Sequence, residues 1–216
     1  MNTSQAGITI VFVGVFQVAD FDKFFFIKND FFKEEEIKNA PIFTPEIAQI
    51  NINGINILIT GQQIIITQFK MEEERGKEIA LLFAKYITHN MQAVGVNFAW
   101  NLIPTESLEK ATKEYFFNEQ NKMFTEYFNS TDTIYGSYVS KNFMRGRLRL
   151  EIKPQIVTKV NIKTQETSET TNVINFAFNF HYQVPTKGEI SMLVEFINDY
   201  KHFLKESEKI MALYGK

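Results

Sequence analysis

The sequence predicts an α+β protein of two similar halves, residues 1–92 and 93–216, each a curved antiparallel sheet packed against helices. Three features carry that reading. The order strand, helix, meander of strands, helix occupies Gly7 to Met91 and recurs, with a longer meander, over Ala93 to Gly215. Asn53-Gly54 lies between short apolar runs and marks a tight hairpin, because both central residues of a type I′ turn need positive φ. Helical spacing of apolar residues separates the strands in both halves. A duplicated unit would join its two sheets edge to edge through the strands near Val11 and Val96. Duplication rests on element order, without residue-level identity between the halves.

Ile8 to Val18 is a continuous β-branched and aromatic run, the pattern of a central strand covered on both faces. Asp20 is placed to cap the next segment, where Phe21, Phe24, Phe25, Phe31, Phe32 and Ile37 recur at helical spacing. Pro41 and Pro45 then break the chain. Glu46 to Phe69 divides at Asn53-Gly54 and Thr60-Gly61 into three short antiparallel strands. A helix from about Met71 to Met91 follows, acidic at Glu72, Glu73 and Glu74, where the helix dipole favours negative charge.

Ala93 to Ile103 reads as a further strand ended by Pro104, and Thr105 caps a helix reaching about Phe128. Strands are expected over Thr133 to Val139, Phe143 to Lys153, Gln155 to Lys163 and Val173 to Gln183, with Thr164 to Thr171 a solvated loop. Thr186-Lys187-Gly188-Glu189 is a capping box that opens one long C-terminal helix.

The 216 residues carry a formal net charge of −2, 44% hydrophobic and 22% charged side chains, 22 phenylalanines and no cysteine. That balance excludes collagen-like and disordered chains. The lack of cysteine removes disulfides, thiolate nucleophiles and cysteine metal sites. No apolar run near the N-terminus reaches the roughly 20 residues that cross a bilayer. Residues 1–7 hold no Lys or Arg of a secretory leader. The expected protein is soluble and cytoplasmic, with no membrane partner and no cofactor.

Three of the four arginines, Arg145, Arg147 and Arg149, fall at alternate positions of one predicted strand, which places them on one face. Leu148, Leu150 and Ile152 take the other. Lys153, Lys159, Lys163 and His181 extend the polar face, together with Asn175 and Asn179. Seven Lys or Arg stand against one Glu between Tyr138 and Lys163, a local charge of +6. The pattern predicts a non-enzymatic binding module whose basic sheet face takes an anionic macromolecule, either a nucleic acid or an acidic protein. The plainer alternative is a solvated face balanced by helix acids such as Glu106, Glu109, Glu114 and Glu119.

Other readings compete. Six phenylalanines within Phe21 to Phe32 exceed what one helix stripe needs. They pack a core, line an apolar small-molecule pocket between helix and sheet, or form a homo-oligomer contact. Glu151-Ile152-Lys153, with Asp132 upstream, resembles the core of the PD-(D/E)xK nuclease pattern, in which the acids hold a divalent metal. Pro154 and a further strand stand where that pattern has a helix. His89, His181 and His202 lack metal-ligand spacing, and no phosphate-cradling or serine-nucleophile motif occurs. Gln49, Asn51, Asn56, Gln62, Gln63 and Gln68 give the first meander an uncharged outer face.

Overall fold

Ile8, Ile10 and Phe12 are buried while Thr9, Val11 and Val13 between them are half-buried, so the first strand, β1 (Asn2–Gly14), is fully covered on one face only. This corrects the expectation of a strand covered on both faces. The computed structural model describes residues 2–37, 41–69, 74–87, 91–160, 167–185 and 190–214, the side chains at 159, 160, 167–169 and 190 excepted. Lys163, His89 and the capping box at 186–189 lie outside the described residues.

β1 is central because it pairs antiparallel on both sides, with β5 (Gln63–Gln68) and with β6 (Met91–Ile103). Ile10 faces Val96 and Val11 faces Gly95, the junction expected from the sequence. Beyond β5 lie β4 (Ile55–Ile59), β3 (Ala48–Ile52) and the two-residue β2 (Ile42–Phe43); beyond β6 lie β9 (Thr167–Gln183), β8 (Gly146–Val160) and β7 (Ser137–Phe143). One antiparallel sheet of nine strands results, ordered β2-β3-β4-β5-β1-β6-β9-β8-β7. The Asn53-Gly54 turn has φ of 46° and 83°, both positive as the hairpin reading requires.

Among the described residues five α-helices accompany the sheet: α1 (Lys23–Lys28), α2 (Arg75–Ile87), α3 (Leu108–Phe116), α4 (Ile190–Asn198) and α5 (Tyr200–Tyr214). They pack on the face that carries Ile8, Ile10 and Phe12. Phe83 of α2 meets Phe12, Phe196 of α4 stacks on Tyr182, and Phe203 of α5 stacks on Phe180 with centroids 4.6 Å apart. Trp100 of β6 donates its indole N–H to Ser207 of α5 at 3.1 Å. No helix among the described residues is long and apolar enough to cross a membrane.

Several elements differ from expectation for local reasons. Asp22, not Asp20, caps α1 by accepting the Phe25 amide at 2.7 Å, and the helix stops before Asp30, whose φ of 57° is left-handed. Ser107, not Thr105, caps α3, which ends at Phe116, and one π-helical turn follows at Met123–Tyr127. The C-terminal helix is interrupted at Asp199. β8 continues through Pro154, where two strands were expected. β7 ends its pairing at Ser137 opposite Ile152, so Pro154 lies on a free edge, where its missing N–H forfeits no ladder bond. The β7–β8 turn falls at Met144-Arg145, between Phe143 and Gly146, rather than before Phe143.

The phenylalanine-rich segment packs mainly against itself and α2. Phe21, Phe26 and Phe31 are buried, each within ring contact of Phe83, while Phe24 is 67% exposed. Beside these rings lie two open clefts of about 250 and 220 Å³, one lined by Val18, Phe21, Phe43 and Ala48 and the other by Phe16, Phe25 and Tyr86 among others.

Candidate functional site

Strand alternation builds the site. Leu148, Leu150 and Ile152 of β8 point into the helix-covered core, so Arg147, Arg149, Glu151 and Lys153 take the opposite, open face. Antiparallel register then sets their neighbours. Arg147 lies between Asn142 of β7 and His181 of β9, and Arg149 between Ser140 and Asn179. Arg147 donates from Nε to Ser140 Oγ and from Nη1 to Asn142 Oδ1, the latter at 3.2 Å. Both partners are neutral, so they orient the guanidinium without cancelling its charge. Arg149 is exposed, and no described residue forms an ion pair with it.

The remaining cations of the +6 region are placed otherwise. Arg145 sits in the turn before β8 and reaches α4, where Glu195 accepts from it and Asp199 lies 3.8 Å from its Nε. The expectation that three arginines share a face of one strand is therefore corrected to two. The strand begins at Gly146, three residues later than expected, which leaves Arg145 in the turn and out of the strand's alternation. Lys141 falls on the helix side, 3.8 Å from Glu206 and over the Phe143 ring. Lys153 stays on the open face but pairs with Glu151 at 2.8 Å. The backbone of Lys159 pairs with Glu169 at the far end of the β8–β9 ribbon.

A polar row crosses the open face. Asn51, Asn56, Thr67, Thr9, Asn97, Asn179, Arg149 and Ser140 are successive cross-strand partners from β3 to β7. Asn97 accepts from Asn179 and donates to the Thr9 carbonyl at 3.2 Å; two rows away, past Ala99 and Ala177, Asn175 donates to Asn101 at 2.8 Å. These bonds hold the amides in fixed orientations. Sequence reasoning marked Asn51, Asn56, Asn175 and Asn179 but missed Thr9, Asn97, Asn101, Ser140 and Asn142. Period-two polarity within Ala93 to Ile103 was the available signal. Gln68, expected on this face, is instead buried on the helix side and accepts the Gly76 amide at 2.7 Å, capping the start of α2.

His181 is half-buried beside the arginines. Burial, then the charge of Arg149, hold its imidazole below the ordinary histidine range, partly opposed by a hydrogen bond to Gln183. A neutral imidazole at pH 7 supplies one donor and one acceptor, and a nearby anion would favour its protonation.

The nuclease residues sit apart in role. Glu151 is engaged by Lys153, and Asp132 occupies the turn before β7, where the Ser130 hydroxyl holds its carboxyl below the ordinary range. Among the described residues, no group of three His, Asp or Glu is placed to hold a metal ion. Compared with protein-family models, with curated proteins and with solved structures, the chain matches none.

Proposed function

We propose that the open face over β7, β8 and β9 binds double-stranded nucleic acid through its phosphate backbone. The observation that carries this reading is the pair Arg147 and Arg149, adjacent on an exposed strand face with no carboxylate partner among the described residues. Guanidinium groups donate in a planar fork that suits phosphate oxygens, and the flanking Ser140, Asn142 and Asn179 add hydroxyl and amide groups. Among the described residues, Tyr138 is the one aromatic side chain exposed on these three strands. An acidic protein partner calls for aromatic anchors, and single strands call for stacking platforms, so the surface chemistry favours a duplex backbone.

The test is a titration of duplex DNA and duplex RNA into the protein at several salt concentrations. Affinity should fall steeply with salt, and Arg147→Gln with Arg149→Gln should lower the slope by about two counterions. A flat salt response, or tighter binding of an acidic polypeptide than of either duplex, defeats the reading.

The strand order β3-β4-β5-β1 on one side and β7-β8-β9-β6 on the other also supports a duplicated unit. One rotation about the β1–β6 junction should then carry each strand onto its counterpart.

A further inference from the structure

The two ends of the sheet are finished differently. β2 closes one end with two residues lying between Pro41 and Pro45, a short proline-flanked edge that discourages pairing. β7 closes the other with seven residues and no proline, and no described strand pairs along its outer side. Antiparallel pairing turns the backbone groups of every second residue outward. Counted from the Phe143–Gly146 pair that closes the turn, the outward groups belong to Tyr138, Ser140 and Asn142.

Apolar surface collects at the same end. Among the described residues sixteen large apolar side chains are exposed; eight of these come from residues 123–156 and a ninth is Leu213. On the helix side of β7 a groove of about 290 Å³ is lined by Val139, Leu148, Leu150, Ile210, Leu213 and Tyr214 among others. Val139 is 53% and Leu213 71% exposed. A strand added at β7 would cover both while satisfying the free backbone groups.

We propose that this strand is β7 of a second copy of the chain. The β2 end, two residues flanked by prolines, disfavours pairing with β7, which leaves β7 to β7 as the pairing of the sheet ends, an isologous contact that closes as a dimer. Set antiparallel about Ser140, all seven residues of β7 pair. Val139 then faces Lys141 of the second copy, and no cation opposes another. Centring on Lys141 instead would bring two lysines together. The two-fold axis stands perpendicular to the sheet, so both open faces turn the same way. Arg147 and Arg149 of the two copies flank the axis, their strands about 14 Å apart across three strand spacings. The doubled basic face rests on the nucleic-acid reading; the dimer rests on the edge, the groove and the register alone.

Light scattering on the full chain at about 100 μM should report a dimer. Val139→Lys sets lysine against Lys141 twice per dimer and should weaken association about tenfold, whereas Val139→Glu, equally polar, pairs with Lys141 and should retain it. Circular dichroism checks that both variants fold, as substitution of an exposed side chain predicts. A wild-type monomer at that concentration, or equal weakening by both variants, overturns the dimer. A dimer that binds no duplex keeps this interface and removes the nucleic-acid reading. If Val139→Lys binds duplex with the wild-type salt slope, the shared face is overturned.

Discussion

The wing β3-β4-β5 and the wing β9-β8-β7 leave the central β1–β6 pair in the same strand order, yet their open faces carry different chemistry. The first presents Asn51, Asn56, Leu58, Ile65 and Thr67, uncharged throughout. The second presents Arg147, Arg149 and His181 at matching distances from the centre. Backbone pairing and one buried face suffice to build both, since the core side chains of either wing come from the opposite alternation. The difference teaches that binding chemistry here lies in side chains the fold does not need, which leaves them free to differ.

The largest expected effect tests whether the wings are energetically one body. Phe83→Ala empties the centre of the ring cluster in the first wing and should cost about 3–5 kcal/mol. The only tryptophan, Trp100, bonds to α5, which packs on the same face over the second wing, so its fluorescence reports that wing. Because β1 and β6 pair along most of their length, the urea midpoint read by Trp100 should fall with the far-UV signal. Separate transitions would divide the molecule into two independently folding units. Phe24→Ala, at an exposed ring of the same segment, should change stability by no more than about 0.5 kcal/mol.

The hairpin turns sharpen the comparison next. In the first wing Gly54 sits at φ 83°, so Gly54→Ala should cost about 1 kcal/mol. In the second wing Met144 holds φ 51°, strained for a side chain with Cβ. Met144→Gly relieves roughly 1–2 kcal/mol of that strain against roughly 0.5–1 kcal/mol of glycine entropy, so thermal denaturation should register a net gain of about 0.5 kcal/mol.

Within the basic wing, Arg145 and Arg149 should separate stability from binding. Arg145→Gln breaks the contacts to Glu195 and Asp199 and should lower the melting temperature without altering the salt slope of duplex binding. Arg149→Gln should leave melting unchanged and weaken duplex binding about fivefold. The reverse pattern would return Arg145 to the site.

The smallest effect is in pH. His181 is held below its ordinary range in the fold, so the unfolded chain takes up its proton first. Its contribution to stability is present above about pH 6.5 and is lost as pH falls from there toward the folded value. Bound phosphate favours the protonated ring, so duplex affinity should rise about two- to threefold between pH 7.5 and 5.5. His181→Gln should flatten that profile, and an NMR titration should find the His181 pKa raised by the duplex.

Much of this architecture was legible in local patterns. Asn53-Gly54 located a turn because positive φ is a property of two residues. The junction near Val11 and Val96 followed from placing two long apolar strands at the heads of two segments with the same order of elements. Less visible was the fate of Pro154: a proline stops a central strand but not one whose neighbour has ended, and that neighbour is set by β7, far from it in sequence. Gln68 misled for a similar reason, since its burial depends on the start of α2 needing a cap.

By itself the sequence determined which residues share a face, because the alternation of Cβ directions along a strand is local. Arg147 with Arg149, and Leu148 with Leu150, could not be separated by any sheet order. Only the tertiary structure decided which cations keep their charge uncompensated. A three-residue shift of the strand's start delivered Arg145 to Glu195, fifty positions away, and register set Arg149 beside a neutral amide. Compensation of charge depends on distances between segments remote in the chain, and those distances exist only once the sheet has formed.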